Sequence, residues 1–303
     1  MSPFAVPLIV ITLGAAVVNG ALGYGFSSIT VPLALLFLTN RVLNPALVLI
    51  EVVLNAYVLW VNRASLPQVW RRVLPIVIGL GPGVAVGTVI VAQVSPAWLK
   101  MSTFSALLPL ILVQAAGYRR PIRSERSIGL AFGGGLGVLY AVTTISGPPL
   151  ALALNNQGLS KKEFRAALGF VRLAESSMTA VAYLTAGLFA RPSFELLPLI
   201  LPSVAIGVPM GAVLIRRLDA ETFRRICMSF DAWVVSFGVS TLLRDLHIAD
   251  GGAAYLVMVV VILIDAVLLR RFFSSRALTR AESLVSGSSE QRGDARVVVA
   301  RRL

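Results

Sequence analysis

The chain has 303 residues, 57% of them apolar and 14% charged, with a mean hydropathy of +0.84. Soluble domains carry about 25% charged residues, so a water-soluble fold is excluded and the chain reads as an integral membrane protein. A formal charge of +13 would suggest nucleic acid in a soluble chain, but here the arginines lie between apolar segments and in the tail, where they set topology; a lipid bilayer and no nucleic acid is the expected partner.

Nine apolar segments fall at about 4–38, 42–62, 73–94, 97–117, 128–159, 166–190, 194–215, 226–243 and 252–269. The opening Met-Ser-Pro-Phe-Ala-Val-Pro has no basic stretch, so no cleaved signal is expected. The first segment, about 35 residues long, is interrupted by Asn19-Gly-Ala-Leu-Gly-Tyr-Gly-Phe-Ser-Ser28. The fifth, about 32 long, is interrupted by Thr143-Thr-Ile-Ser-Gly-Pro-Pro149. Glycine frees the backbone and proline removes a donor, so each is expected to form two half-helices around a break. The two breaks lie 124 residues apart, Gly23 falling on Gly147, and the same offset carried down the chain matches Arg41 with Arg165, Glu51 with Glu175, Gly83 with Gly207 and Gly87 with Gly211. Overall identity at that offset is no better than composition gives, but the matched charged residues and segment boundaries point to a duplication.

Lysine and arginine collect on the cytoplasmic side of short loops. Nine plain crossings leave almost no bias. Treating segments one and five as re-entrant hairpins puts eighteen Lys and Arg, Arg225 among them, on one face and only Arg41, Lys100, Arg191 and Arg244 on the other. The expected fold is therefore an all-α polytopic membrane protein, an inverted repeat of two halves. Each half is a broken, re-entrant helical hairpin plus three transmembrane helices, and one extra C-terminal helix follows. The expected divisions are a first repeat over 1–117, a basic cytoplasmic linker over 118–127, a second repeat over 128–243, the extra helix over 252–271 and a disordered basic tail over 274–303. The N-terminus is then outside and the tail cytoplasmic.

Non-helical backbone at membrane depth belongs where it is packed in protein or lines a cavity. Half-helix N-termini there present unpaired N–H groups to an anion. The second half-helices are expected to start near Ser27-Ser28 and Pro149. Gly23, Gly25 and Gly147 free the backbone at the breaks, while Ser27, Ser28, Thr143, Thr144 and Ser146 add hydroxyls able to hold oxyanion oxygens. The alternative is that the glycines merely let helices pack closely, which is the preferred reading for Gly133-Gly134-Gly135 and for Gly83 and Gly87.

Ionisable residues within membrane segments are costly. Glu51 and Glu175 each lie ten residues past a matched arginine, about 15 Å along a helix, near the midplane. Such a carboxyl can carry a proton through a transport cycle. Arg172 lies one turn before Glu175, and Val48 occupies its place in the first half, which suits a single anion site. Arg172 and Glu175 read equally well as a buried structural pair. Asp231 and Asp265 are expected to hold neighbouring helices together.

One cysteine, Cys227, and one histidine, His247, leave no zinc cluster, disulfide framework or Ser-His and Cys-His dyad, and no Gly-x-x-x-x-Gly-Lys-Ser/Thr loop is present. Neither a cofactor, a metal nor an enzymatic activity is expected. The stretches Gly147-Pro-Pro-Leu, Gly158-Leu-Ser-Lys-Lys-Glu-Phe-Arg-Ala166, Asn19-Gly-Ala-Leu-Gly-Tyr-Gly and Gly207-Val-Pro-Met-Gly211 resemble the TauE/SafE family over about residues 5–245. The resemblance implies a bacterial inner-membrane permease that exports sulfite, sulfoacetate or related organosulfur anions. Composition and spacing by themselves reach only an inverted-repeat carrier for a small anionic substrate. An anion channel and a non-transporting assembly factor stay open, as does a homo-oligomer.

Overall fold

The computed structural model describes residues 4–115, 125–155, 159–214, 220–249 and 251–274. The expected linker, apart from its last residues, and the tail beyond Ser274 lie outside them. α1 (Ala5–Leu22) ends on Gly23, and α2 (Phe26–Ala34) follows Gly25. The rings of Phe4 and Phe37 stack at 6.4 Å, so α2 returns the chain to the end from which α1 set out. The hairpin is lopsided, 18 residues down and 9 back. α3 (Asn40–Asn62) and α4 (Leu66–Gln93) meet at a short 3-10 turn, Arg63–Ser65, and α5 (Pro96–Ala115) closes the first half.

The second half repeats this order with α6 (Glu125–Thr143), α7 (Gly147–Asn155), α8 (Lys161–Thr185), α9 (Arg191–Leu214) and α10 (Ala220–Asp245). α6 begins inside the stretch expected to be linker. Leu150 and Leu154 of α7 join Val69, Val73 and Ala166 in one buried cluster at the end where α6 starts, so this hairpin also turns back. The Ser160–Glu163 capping box satisfies the orphan donors that open α8. A 3-10 turn, Gly251–Tyr255, leads into α11 (256–274).

Every described element is helical, as an all-α polytopic membrane protein requires. Among the described residues six helical stretches are long and apolar enough to cross a bilayer, one of them the run Asn40–Gln93 shared by α3 and α4. α8, which carries the buried Arg172 and Glu175, is not among them.

Contacts at small residues fix how the halves meet. A Cβ added to Gly83 would lie 2.1 Å from the Gly134 carbonyl, and one added to Gly133 would lie 2.1 Å from that of Ile76. α4 and α6 therefore run parallel with their backbones touching, as small residues allow in a bilayer. α1 and α9 do the same, Gly207 against Ala16 and Gly211 against Val17 and Ala21. Each half's hairpin thus lies along the other half's helix, and the halves interlock. α3 and α8 cross antiparallel: Gly169 abuts Leu59, the Asn55 amide reaches the Arg172 carbonyl at 3.4 Å, and Val48 packs with Tyr183. Two corresponding helices that run in opposite directions are what an inverted repeat predicts.

One expectation is corrected. Gly23 N–H donates to Asn19 O at 2.7 Å as Thr144 N–H donates to Tyr140 O at 2.6 Å, and Ile29 N–H to Gly25 O as Leu150 N–H to Ser146 O. Gly23 therefore corresponds to Thr144, an offset of 121, while Glu51 and Glu175 keep 124. The chain between hairpin and following helix differs by three residues, which an ungapped comparison cannot register.

Candidate functional site

The two breaks meet inside the molecule, where Gly147 lies close against the Tyr24 side chain: a Cβ would fall a tight 3.2 Å from that of Tyr24. Gly23 (φ 84°) and Gly25 (φ 106°) adopt left-handed conformations that glycine reaches freely, and Thr144 (φ 56°) takes one at the second break. The second arms start at Phe26 and Gly147, slightly before the expected Ser27-Ser28 and Pro149. Pro148 and Pro149 carry no N–H and Leu150 N–H is taken by Ser146 O, so α7 presents only the Gly147 amide in its first turn.

Glu51 and Glu175 sit at the crossing of α3 and α8, beside these breaks, and neither has any exposed surface. Glu51 accepts from Ser27 Oγ, from Tyr140 Oη at 2.7 Å and from Arg172 Nη2 at 2.8 Å. Glu175 accepts from Ser146 Oγ through Oε2. Each carboxylate is thus hydrogen-bonded to a serine at the start of its own half's second arm, where the helix dipole favours negative charge. Arg172, only 2% exposed, bonds across the crossing to Glu51 and not to its neighbour Glu175. The pairing of Arg172 with Glu175 is therefore replaced by one that ties the two halves together. Helical spacing puts Arg172 and Glu175 on one face, but the longer reach across the antiparallel crossing decides the partner.

Polar valence remains. Arg172 Nε and Nη1, Glu175 Oε1 and both side-chain polar atoms of Asn19 are buried without a hydrogen-bond partner among the described residues. Of the other expected groups, Thr143 Oγ1 donates to Leu139 O at 2.7 Å and accepts from Ile145 N–H at 3.0 Å, and Thr144 Oγ1 donates to Thr143 O at 2.7 Å. Those two hydroxyls shape the break. Ser28 is buried on α2. Tyr140, Asn19 and Asn55 were missed by sequence reasoning, because one tyrosine or asparagine in an apolar helix carries no signal of what it faces. Below Glu51, a groove of about 310 Å³ between α3 and α9 is lined by Ile50, Leu54, Tyr57, Val204 and Val208, and is apolar.

Arg225 and Ser229 of α10 both bond Asp265 of α11, at 2.8 and 3.2 Å. Asp265 does join neighbouring helices; for Asp231, buried on α10, no such bond is seen among the described residues. Arg225 is corrected from a cytoplasmic loop charge to a buried one, because Asp265 is there to pair it. No group of His, Cys, Asp and Glu able to hold a metal occurs among the described residues.

The family model described as sulfite exporter TauE/SafE matches residues 8–237, and the chain belongs to that family. It is therefore a multi-pass membrane protein of a sulfur-anion transporter family. No curated protein and no solved structure matches it.

Proposed function

We propose that this TauE/SafE protein is a secondary transporter, an exporter of a small sulfur oxyanion, sulfite or an organosulfonate, across the cell's inner membrane. The observation that carries the reading is the sealed charge cluster of Arg172, Glu51 and Glu175 where the two hairpin breaks meet. A transporter working by alternating access needs its site closed to both faces at one stage, and here every member of the cluster is buried. Arg172 supplies the cation, with two nitrogens that have no hydrogen-bond partner among the described residues.

Charge balance suggests how the cycle runs. Two carboxylates and one guanidinium sum to −1, so bare doubly charged sulfite entering would raise the charge to −3 in a low-dielectric interior, at a cost of several kcal/mol. One proton, carried on the anion or taken up by the Glu175 carboxylate, holds the total to −2. Glu51 keeps the guanidinium oriented, and Glu175, with one oxygen unpartnered, shares the proton. Rocking of each hairpin with the helix it lies along would open the site to one face and then the other. No covalent chemistry is asked of the cluster.

Reconstituted in vesicles, the protein should give saturable sulfite flux with counterflow, and Glu175→Gln should remove the pH dependence of that flux while the protein stays folded. Ohmic current without counterflow would make it a channel. Absence of any flux would favour the assembly-factor reading.

A further inference from the structure

The pseudo-twofold relation that matches the two hairpins also exposes an asymmetry at their centre. Tyr140 and Asn19 are equivalent, since each offers its carbonyl to the N–H of the left-handed residue that ends its helix, Thr144 and Gly23. Glu51 and Glu175 are equivalent on the crossing helices. Tyr140 donates its hydroxyl to Glu51; under the pseudo-twofold relation Asn19 is its counterpart for Glu175, but its much shorter side chain makes no such bond. Arg172 is likewise replaced by Val48 in the mirrored position. Among the described residues one carboxylate accepts from three donors, while the other receives only Ser146 and keeps Oε1 unpartnered.

Buried polar groups are nearly always hydrogen-bonded, so a group of them without partners calls for a function. The unpartnered set has a definite chemistry. Arg172 Nε and Nη1 donate, a carboxylate Oε1 accepts, and an asparagine amide does both. An acceptor oxygen beside an anion is repulsive unless a proton lies between the two, brought by the anion or already held on the carboxyl.

We propose that Glu175, Asn19 and the unpartnered nitrogens of Arg172 form a recognition site for an oxyanion that carries its own proton, hydrogen sulfite, and that the Glu175 carboxylate rejects sulfate and alkylsulfonates, which have no proton to give. The inference rests on the sulfur-anion transporter reading above and assigns its selectivity to one carboxylate. The anion's oxygens take the guanidinium and amide donors, and its acidic hydrogen is directed to Glu175 Oε1. The charged and titratable groups facing Glu175 are Arg172 on its own helix, Glu51 on α3 and Tyr140 on α6, with Ser146 at the α7 break.

The test is equilibrium binding of sulfite, sulfate and methanesulfonate to the purified full-length protein across pH. The expected result is sulfite bound at least about tenfold more tightly than the other two. That preference should fall as pH rises through the second ionisation of sulfurous acid, with methanesulfonate showing no such fall. Glu175→Gln, whose amide can donate, should erase the preference by strengthening sulfate and methanesulfonate, and Asn19→Ala should weaken sulfite several-fold without reordering the three. Equal affinity for all three in the wild type, or an unchanged order in Glu175→Gln, overturns this inference and leaves the transporter reading intact. Binding of none of them overturns the transporter reading itself. If Glu175→Gln does not fold, the contrast in pH dependence between sulfite and methanesulfonate in the wild type decides alone.

Discussion

At the scale of single residues, the centre of this protein is a contest for one guanidinium. Arg172 is buried and, among the described residues, the carboxylate it hydrogen-bonds is Glu51, on the other half of the molecule. Removing one member of a buried ion pair leaves the other uncompensated, at about 3–5 kcal/mol. Glu51→Gln should therefore lower stability by that order in detergent unfolding experiments, whereas Glu175→Gln, which disturbs one serine hydrogen bond, should cost clearly less. Equal losses would show that Arg172 leans on both carboxylates. Tyr140→Phe deletes a single donor to Glu51 and should cost about 1–2 kcal/mol. Arg172→Lys keeps the charge but loses the planar set of donors, and should weaken oxyanion affinity about tenfold or more in the same binding assay used for wild type. The rarity of charge in apolar segments was enough to mark Glu51, Glu175 and Arg172 in the sequence. Which of them pair was not legible, because the decisive neighbour lies 121 residues away.

At the scale of elements, backbone contact between helices explains the glycines. Gly83 and Gly81 lie two residues apart on α4; a Cβ on the first would lie 2.1 Å from a carbonyl oxygen of α6, whereas one on the second would meet nothing within 4 Å. Gly83→Ala should therefore separate α4 from α6 and lower the melting temperature markedly. Gly81→Ala should be neutral or stabilising by up to about 1 kcal/mol through helix propensity. Comparable effects of the two would contradict the parallel contact. The breaks were visible in the sequence as clustered glycine and proline, and the structure puts them where expected. Their unequal arms were not visible, since nothing in an apolar run marks how deep its first helix travels. α11 is fastened to α10 through Arg225 and Asp265, beyond the stretch shared with the family. Either Arg225→Met or Asp265→Leu alone strands a buried charge and should destabilise, while the double variant should recover most of the loss; additive losses in a double-mutant cycle would mean the pair is not the fastening.

At the scale of the whole molecule, charge follows the ends. One end gathers Arg63, Arg71, Arg72, Lys162, Arg270 and Arg271, and the other holds Arg41, Lys100, Arg191 and Arg244. With the native Cys227 replaced by serine, a cysteine at Thr39 should react with an impermeant thiol reagent only from outside intact cells, and one at Ser65 only from inside. Reaction of both from one side would break the proposed orientation. The sequence by itself determined that this is a helical membrane protein of two related halves, with two interrupted segments and three buried charges at one depth. Those features rest on composition, hydropathy and local breakers, which act within a few residues of chain. Only the tertiary structure decided that each hairpin lies along the other half's helix and that Arg172 turns to Glu51. It also showed that Asn19 and Glu175 are left with unused valence. Those are decisions between groups about fifty to nearly two hundred residues apart, settled by the close helix contacts of the two hairpins and by the antiparallel crossing of α3 and α8, and no periodicity along the chain records which side chains a crossing brings together.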